Sequence, residues 1–380
     1  MKKILFVTGT RADFGKLKSL IQAVKDSPEY EYEIFVTGMH LLSQYGLTIR
    51  EIEKSGFNNK FSFMNQVIGD DMEIILSNTI NGLSKYLHEH QVDLIIVHGD
   101  RVETLAGAIV GALRNILVAH IEGGEISGTI DELIRHAVSK LSHVHFVATE
   151  VAQKRLLQLG EEPESVFVIG SPDVDIMLSN TLPPIETVKE RYRIKFDTYA
   201  IAMLHPVTTD TPDIQQKHAA IFVEALLESG FNYVIIYPNN DSGSELILQS
   251  YENLRNNARF RIFSSIRFEY FLTLLKMAHF IIGNSSAGIH EAPVYGIPSF
   301  NVGTRQQNRF HYDSIFNVPF DKALILEHIR TGSVHRYMPT QHYGQGTSAL
   351  NFLNALHTIW QFPKQKQFND IVYEEPCCPV

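Results

Sequence analysis

The chain has 380 residues, of which 44% are apolar and 20% are charged, a composition typical of a soluble globular protein. Its formal net charge of −9 argues against general binding to nucleic acid or to an anionic membrane surface, because both partners are themselves negatively charged. Its apolar runs stay short of the ~18 residues that span a bilayer. The two cysteines, Cys377 and Cys378, are adjacent near the C-terminal end and form no disulfide framework, so we expect a cytoplasmic protein.

Short apolar runs rich in β-branched residues alternate with helical patterns along the chain, which is typical of parallel α/β units. Strands this uniformly apolar are buried on both faces, as in a doubly wound sheet. The segments 15–25 and 103–113 predict amphipathic helices between strands. The predicted strands are Lys3–Thr8, Tyr32–Thr37, Asp93–His98, Ile116–Ile121, His143–Ala148 and Val166–Ile169 in the first half, and Tyr199–Leu204, Tyr233–Tyr237, Phe260–Phe263, Phe280–Ile282 and Ser299–Val302 in the second.

The length predicts two domains, each large enough for its own core. The sequence Leu182-Pro183-Pro184 resists both helix and sheet interior, so we place the boundary there. We predict two Rossmann-like α/β domains that face each other across a cleft, residues 1–178 and 179–362. The last helix of the second is a candidate to pack back on the first. The polar tail 363–380 is expected to be poorly packed.

In open α/β folds ligands bind where parallel strands end, so residues that follow predicted strands are the candidates for function. The first strand runs into Gly9-Thr10-Arg11-Ala12-Asp13-Phe14-Gly15. A glycine turn that enters a helix exposes backbone N–H groups, and Arg11 adds a cation, which together suit a phosphate. The segment matches no standard nucleotide motif, and an ordinary βα turn with a surface arginine explains it equally well.

Two further strands end in acids beside glycines, Asp100 in His98-Gly99-Asp100-Arg101 and Glu122 in Glu122-Gly123-Gly124-Glu125. A third acid, Asp131, begins the predicted helix 131–141, where a first-turn carboxylate is also common for purely structural reasons. Three acids that converge on one cleft favour proton transfer. Crowded carboxylates raise one another's pKa, so one acts as base and another as acid near neutral pH.

The second half places His205 directly after a strand, in the position of a general acid or a phosphate contact. Its strongest motif is Gly283-Asn284-Ser285-Ser286-Ala287-Gly288-Ile289-His290-Glu291-Ala292, which predicts an anion cradle of backbone N–H groups and two hydroxyls. Glu291 is suited to a ribose diol, and Arg305 and Arg309 add positive charge. The alternative is a generic βα turn. The histidines lack the spacing or the cysteine partners of a zinc site, so we predict no metal.

Eight segments, taken together and in order, carry the most specific signal. They are Gly9–Asp13, Val36–His40, His98–Arg101, His120–Glu125, Asp131 to His136, His205-Pro206, Gly283–Ser286 and Gly303–Arg305. Over residues 1–360 they resemble the UDP-N-acetylglucosamine 2-epimerase family, specifically its hydrolysing branch, which makes N-acetylmannosamine for sialic acid synthesis. Asp131 and the sequence Ile121-Glu122-Gly123-Gly124 both favour that branch over the non-hydrolysing one.

The resemblance implies a fold like that of the GT-B glycosyltransferases, with UDP held mainly by the second domain and no cofactor. It implies that the first-stage reaction removes the C2 proton and expels UDP to give 2-acetamidoglucal, to which water then adds with the opposite configuration at C2. The implied catalytic residues are Asp100, Glu122, Asp131 and His205. The implied UDP- or substrate-binding residues are Arg11, His40, Asn239, Ser285, Ser286, Gly288, Glu291 and Arg305.

Three alternatives remain open from the sequence. Some relatives act on UDP-2,4-diacetamido-2,4,6-trideoxyglucose on the way to legionaminic acid, with the same mechanism. A GT-B glycosyltransferase shares a UDP cradle but has no need of three acids in the first half. A non-catalytic UDP-sugar sensor would bind without turnover. The resemblance also implies a homodimer or homotetramer that assembles through first-domain helices.

Overall fold

The computed structural model describes residues 1–127, 129–332 and 335–371. Cys377 and Cys378 therefore lie outside the described residues, as does Gly128 in the segment that follows the second acid motif. Among the helices of the described ranges, none combines the length and the hydropathy needed to cross a bilayer.

The first domain is a seven-stranded parallel sheet flanked by helices. Its central strands are buried along their whole length because helices cover both faces. Its strands are β1 (Lys2–Thr8), β2 (Tyr30–Val36), β3 (Lys60–Ser62), β4 (Leu94–His98), β5 (Leu117–Ile121), β6 (Val144–Val147) and β7 (Val166–Val168). Its helices are α1 (Arg11–Asp26), α2 (Ile49–Lys54), α3 (Met72–Glu89), α4 (Val102–Leu113), α5 (Ile130–Leu141), α6 (Glu150–Gln158) and α7 (Pro172–Met177).

The second domain is a six-stranded parallel sheet of the same kind. Its helices begin with α8, which follows the proline pair that marks the predicted boundary. Its strands are β8 (Ala200–Met203), β9 (Tyr233–Ile236), β10 (Phe260–Phe263), β11 (Ile281–Gly283), β12 (Ser299–Val302) and β13 (Ile315–Val318). Its helices are α8 (Ile185–Tyr192), α9 (Pro212–Glu228), α10 (Ser244–Tyr251), α11 (Phe268–Met277), α12 (Glu291–Val294), α13 (Lys322–Gly332) and α14 (Ser348–Leu356).

Each predicted strand is present within a few residues of its expected bounds, and two strands were missed. β3 and β13 are short and partly exposed, so their apolar signal is weak. In the first sheet the strand order is β3-β2-β1-β4-β5-β6-β7, and in the second β10-β9-β8-β11-β12-β13. The order reverses between β1 and β4 and between β8 and β11, which are the points where such sheets bind ligands.

The chain returns to the first domain at its C-terminal end. Phe352 and Leu356 of α14 lie in the core of the first sheet, and the Ser348 hydroxyl donates to Asp175 at 2.8 Å. Most side chains of residues 363–371 are exposed, Phe368 to 85%, but Lys366 attaches this segment to the first domain. Lys366 contacts the buried carboxylate of Glu161 and donates to the Ser142 carbonyl at 2.7 Å, so ion pairing secures a segment that looks merely polar in sequence.

Candidate functional site

The carboxyl ends of the two sheets enclose a cavity of about 290 Å³, called here the cleft cavity. Its lining includes the polar side chains of Arg11, His205, Ser285, Ser286 and Arg305. It also includes apolar and aromatic side chains, which suit a flat organic ring. This apolar wall comprises Met203, Ile236, Tyr237, Pro238, Ile266, Phe268 and Phe271.

A smaller space of about 150 Å³ adjoins the cleft cavity on the first-domain side and is called here the acid pocket. It contains all three predicted catalytic acids, Asp100, Glu122 and Asp131. The two spaces share lining residues, among them Lys16 and Arg305. A ligand with a nucleotide-sized part and a sugar-sized part therefore spans both.

The turn after β1 differs from the expected phosphate loop. Asp13 accepts hydrogen bonds from the backbone N–H groups of Gly9 and Thr10, at 2.9 and 3.0 Å, and from the Thr8 hydroxyl at 2.7 Å. The prediction that these N–H groups face a ligand is therefore wrong, because a carboxylate of the same chain already satisfies them. Arg11 still lines the cavity, and its Nη2 lies 3.7 Å from Glu51.

The turn after β11 forms the second-domain side of the cleft cavity. The Asn284 side chain bridges to the turn after β8, accepting from the His205 N–H at 2.7 Å and donating to the His205 carbonyl at 2.9 Å. Ser285 and Ser286 then line the cavity. Gly288 lies behind it, where an added Cβ would meet the Ser299 hydroxyl at 2.4 Å, so this glycine allows close packing and is not placed as a ligand contact.

The imidazole of His205 has a defined tautomer. The backbone N–H of Asn239 donates to its Nδ1 at 3.1 Å, so the ring proton is on Nε2. Burial, with the nearby Arg305, lowers the pKa of His205 to about 3. This side chain is therefore a neutral donor through Nε2–H over the physiological pH range. Asn239 itself lines the cleft cavity.

Glu291 lies on the floor of the cleft cavity and is almost fully buried. Burial raises its pKa to about 7, with Asp173 and Glu122 adding to the effect and Lys16 opposing it. Its Oε2 has no hydrogen-bond partner among the described residues. A buried carboxylate oxygen without a donor is unfavourable, so a ligand hydroxyl is the natural partner.

Glu122 is surrounded by donors. Lys16 Nζ lies 3.1 Å from Oε2, His98 Nε2 lies 3.0 Å from the same oxygen, and the Ser171 hydroxyl donates to Oε1. Burial alone would raise the pKa of this carboxyl, but Lys16 and His98 outweigh burial and hold its pKa well below the ordinary value. The expectation that crowding raises the pKa of the acids is wrong here, because Glu122 has its own cation.

Glu122 also has an unusual backbone, with φ of 60°. A non-glycine residue in this left-handed region costs about 1–3 kcal/mol and persists where its surroundings fix it. Its N–H donates to the Phe146 carbonyl at 2.9 Å, so the β5–β6 pairing holds the turn that aims its side chain into the pocket.

Asp100 and Asp131 are each paired with an arginine. Arg135, buried on α5, donates to Asp100. Arg305 of the second domain donates to Asp131 at 2.9 Å. The second pair crosses the cleft, so it joins the acid pocket to the cleft cavity, which Arg305 also lines.

Sequence reasoning missed Lys16, His98 and Arg135. Lys16 is buried although it lies on an amphipathic helix, where a lysine usually indicates the solvent face. Its spacing from Asp13 and Leu20, three residues before and four after, placed it on the same face as buried residues, which was the one available signal.

His40 does not reach the cleft. Its ring is completely buried, with Nε2 3.0 Å from the Thr8 hydroxyl and Nδ1 2.7 Å from the Thr48 hydroxyl. Burial lowers its pKa to about 4. The predicted contact with substrate is therefore replaced by a structural role, in which the ring joins β1 to the segment before α2.

Several buried polar atoms around the two spaces lack partners within the described ranges. They include both ring nitrogens of His290 and the Nε atoms of Arg135 and Arg309. In the same ranges no cluster of three or more His, Cys, Asp or Glu side chains is arranged to hold a metal ion.

Comparisons with known proteins agree with this geometry. The family model for UDP-N-acetylglucosamine 2-epimerase matches residues 22–357. The UDP-N-acetylglucosamine 2-epimerase of Neisseria meningitidis serogroup B is 46% identical over 98% of this chain and 100% of its own length. The UDP-N,N'-diacetylbacillosamine 2-epimerase (hydrolyzing) of Legionella pneumophila is 32% identical, covering 94% and 96%. The polysialic acid biosynthesis protein P7 of Escherichia coli is 33% identical, covering 100% and 99%.

Solved structures show the fold. The UDP-GlcNAc 2-epimerase of Methanocaldococcus jannaschii, in complex with UDP-GlcNAc and UDP, superposes with a TM-score of 0.81 at 22% identity, covering 94% of this chain and 99% of that one. The prediction of two Rossmann-like domains in a GT-B-like arrangement is confirmed. With the matched family model and full-length relatives, the chain belongs to the UDP-N-acetylglucosamine 2-epimerase family.

Proposed function

We propose that this chain is a hydrolysing UDP-N-acetylglucosamine 2-epimerase, which converts UDP-N-acetylglucosamine and water to N-acetylmannosamine and UDP for sialic acid synthesis. The observation that carries the proposal is the Arg305–Asp131 ion pair at 2.9 Å. It connects a cation that faces a leaving diphosphate with an acid that handles protons. The full-length similarity to the N. meningitidis enzyme supports the choice of substrate.

UDP departure supplies most of the lowering of the barrier in this reaction. The C2 proton is not next to a carbonyl, so no enolate shares the charge when it is removed. Donors that bind the departing diphosphate more tightly than the bound substrate accelerate such a step. Arg11, Ser285, Ser286 and Arg305 line the cavity where this charge develops, and His205 adds a neutral N–H donor from Nε2.

The rest of UDP fits the remaining cavity. The apolar wall around Phe268 and Phe271 suits the uracil ring. The unpaired Oε2 of Glu291 suits the ribose hydroxyls. Binding of a diol favours the ionised carboxylate, so Glu291 loses its proton when UDP binds.

The acids handle protons at C2 and on the incoming water. Glu122 is ionised and anchored by three donors, so it fixes the charge of the pocket. Asp100 and Asp131 each have one arginine partner, and we assign the proton transfers to these two acids. Arg305 contacts both Asp131 and the Asn284 turn, so the departure of UDP and proton transfer at Asp131 are coupled.

Product analysis tests the proposal. Purified protein is incubated with UDP-N-acetylglucosamine, and products are separated and identified by NMR. We expect free N-acetylmannosamine and UDP in equal amounts. A product sugar still linked to UDP would show a non-hydrolysing epimerase. No turnover would indicate a sensor, and transfer of intact sugar to an added acceptor would indicate a glycosyltransferase.

The choice of sugar has one rival with specific support. The L. pneumophila relative is a hydrolysing epimerase of UDP-N,N'-diacetylbacillosamine, so UDP-2,4-diacetamido-2,4,6-trideoxyglucose is assayed in parallel. We expect the N-acetylglucosamine substrate to have the higher kcat/KM. Faster turnover of the trideoxy sugar would overturn this part of the proposal.

We also propose that the chain forms a homodimer or homotetramer. Three helices of the first domain carry exposed apolar side chains, Ile74 on α3, Leu113 on α4 and Leu133 on α5, which are 48%, 78% and 67% exposed. Helix α4 packs against both α3 and α5, and apolar groups exposed together on neighbouring helices favour an interface. Light scattering is expected to give the mass of two or four chains, and a monomer would contradict this proposal.

A further inference from the structure

One histidine in the acid pocket has no role in the chemistry described above. His290 directly precedes Glu291, is 3% exposed and lines the pocket with Glu122 and Arg309. Neither of its ring nitrogens has a hydrogen-bond partner within the described ranges. Buried polar atoms are rarely left unpaired, so these two nitrogens point to a ligand group that completes them.

Stacking fixes the ring without using its nitrogens. The His290 and Tyr343 rings lie face to face, with centroids 4.3 Å apart and planes at 15°. Tyr343 is itself buried and meets the edge of Phe310 at 5.4 Å. His290 is therefore held in place by its faces, and both nitrogens stay available to a bound molecule.

His290 is uncharged in this environment. Burial lowers its pKa well below the ordinary value, and the nearby cations Arg309 and Lys16 lower it further. A neutral imidazole has one N–H donor and one acceptor nitrogen. It therefore suits a neutral polar group, such as an amide, and has no charge with which to hold a phosphate.

The other polar groups of the acid pocket are less suited to an amide carbonyl. Lys16 and His98 keep the pKa of Glu122 low, so this carboxylate accepts hydrogen bonds and does not donate, which matches a sugar hydroxyl. Arg135 donates to Asp100 and to the Glu125 carbonyl, and Arg305 donates to Asp131. The Nε atoms of Arg135 and Arg309, unpaired within the described ranges, belong to cations, which match a charged group better than a neutral carbonyl. A carbonyl oxygen on the sugar needs a donor, and the His290 N–H is an uncommitted one.

We propose that His290 is a specificity residue that recognises the acetamido group on C2 of the sugar. The N–H of its neutral ring donates a hydrogen bond to the acetamido carbonyl oxygen. This rests on the proposed function, because it assumes a 2-acetamido sugar in the acid pocket. The acetamido group is attached to the carbon that exchanges its proton. Fixing that group therefore also orients C2 toward the acids.

UDP-glucose provides the discriminating probe, because it differs from UDP-N-acetylglucosamine only in carrying a hydroxyl at C2. The variants are His290→Phe, which keeps an aromatic ring to stack on Tyr343, and His290→Gln, which keeps an N–H donor. We measure kcat/KM for UDP-N-acetylglucosamine and competitive inhibition by UDP-glucose and by UDP. His342→Ala, which removes a neighbouring ring stacked on Phe310 outside the pocket, is the matched control.

We expect His290→Phe to lower kcat/KM for UDP-N-acetylglucosamine by about 10- to 100-fold, the effect of one buried hydrogen bond. The inhibition constants for UDP-glucose and UDP stay within about twofold. His290→Gln recovers part of the loss, and His342→Ala resembles the wild type. An equal loss of UDP-glucose binding would overturn the proposal, because His290 would then contact a group shared by both sugars. An unchanged kcat/KM would overturn it as well.

Failure of the proposed function is distinguishable from failure of this inference. If the wild type does not turn over UDP-N-acetylglucosamine, the proposed function is wrong. Calorimetric binding of UDP-N-acetylglucosamine and UDP-glucose to the wild type and to His290→Phe still tests the acetamido contact. A wild-type preference for the acetamido sugar that survives in the variant would contradict it.

Discussion

Two buried glutamates, Glu122 in the acid pocket and Glu291 in the cleft cavity, have opposite electrostatic states. Lys16 and His98 hold the pKa of Glu122 well below its ordinary value, whereas burial raises the pKa of Glu291 to about 7. The Glu122 carboxylate is thus satisfied by partners from the same chain before any ligand arrives. The cleft cavity keeps an unpaired oxygen for the ligand to complete. Under the proposed function, this difference distinguishes a preorganised site of proton transfer from a site that recognises the nucleotide.

The largest expected effect comes from removing charge in the acid pocket. Glu122→Gln, Asp100→Asn and Asp131→Asn should each lower kcat by about 10²- to 10⁴-fold. For Asp100 and Asp131 this is the usual contribution of a positioned acid or base, and for Glu122 it reflects the loss of the negative charge beside Lys16. Affinity for UDP should fall less than kcat, because all three acids line the acid pocket, although Asp131 also pairs with Arg305 of the cleft cavity. Initial rates and UDP inhibition constants measure both.

The control for these variants is Glu150→Gln, an exposed first-turn glutamate on α6. A variant of the acid pocket with wild-type kcat would remove that acid from the proposed mechanism. Equal losses of kcat and of UDP affinity would contradict the division of labour between the two domains.

The next effect concerns the lysine that holds Glu122 ionised. Lys16→Met leaves Glu122 and Asp173 buried without their cation, which should destabilise the fold by about 3–5 kcal/mol. The pKa of Glu122 should rise, so the acidic limb of the pH–rate profile moves to higher pH. Thermal unfolding and a pH–rate series measure these effects, with the exposed Lys154→Met as control.

The direction in which Glu122 makes folding stability depend on pH follows from its lowered pKa. A carboxyl whose pKa is lower in the folded state stabilises the protein above its unfolded pKa, and this stabilisation is lost as the pH falls through the folded value. Lys16→Met should therefore lose most stability near neutral pH and least in acid. A constant deficit across the pH range would show that Lys16 acts through packing alone.

A smaller effect is expected at Glu291. Because its pKa is raised to about 7 without ligand and the ribose diol binds the ionised form, UDP affinity should increase as the pH rises from about 6 to 8. Glu291→Gln should weaken UDP binding by about tenfold and flatten this dependence. Calorimetry at several pH values measures it, and 2′-deoxy-UDP, which lacks one hydroxyl, should show a weaker dependence. An identical pH profile for the variant would rule out the ribose contact.

The smallest effect is expected at His205. Its pKa is lowered to about 3 by burial and Arg305, so it should contribute no inflection to the pH–rate profile between about pH 5 and 8. His205→Gln, which keeps an N–H donor, should retain more kcat than His205→Ala, by about fivefold. Equal losses in both variants would argue against a donor role for Nε2–H.

The strands and their ends were predictable from sequence because they depend on local, regular residue patterns. The apolar runs of β4 and β5 marked a buried sheet, and glycines beside Asp100 and Glu122 marked strand ends, so the acids could be assigned to one edge. The edge strands β3 and β13 were missed because they are only three and four residues long and are partly exposed.

The site was less predictable where it depends on partners distant in sequence. Lys16 and Glu122 are 106 residues apart, and no local pattern shows that a lysine on α1 neutralises that acid. The fixed tautomer of His205 depends on a backbone N–H 34 residues away. In sequence, His290 is simply the residue before a short helix. Only the structure shows that both of its ring nitrogens are buried without a partner among the described residues. His40 follows a motif at a strand end, yet its contacts with Thr8 and Thr48 bury it.

The fate of the C2 proton directly tests the proposal that the acid pocket transfers this proton. The protein is incubated with UDP-N-acetylglucosamine in deuterated water, and the released sugar is examined by NMR and mass spectrometry. We expect free N-acetylmannosamine with one deuterium at C2, because the acid pocket removes the original proton and a deuteron from solvent replaces it. Free sugar with its original proton at C2 would contradict the proposed mechanism, because UDP would then have left without proton transfer by the acids.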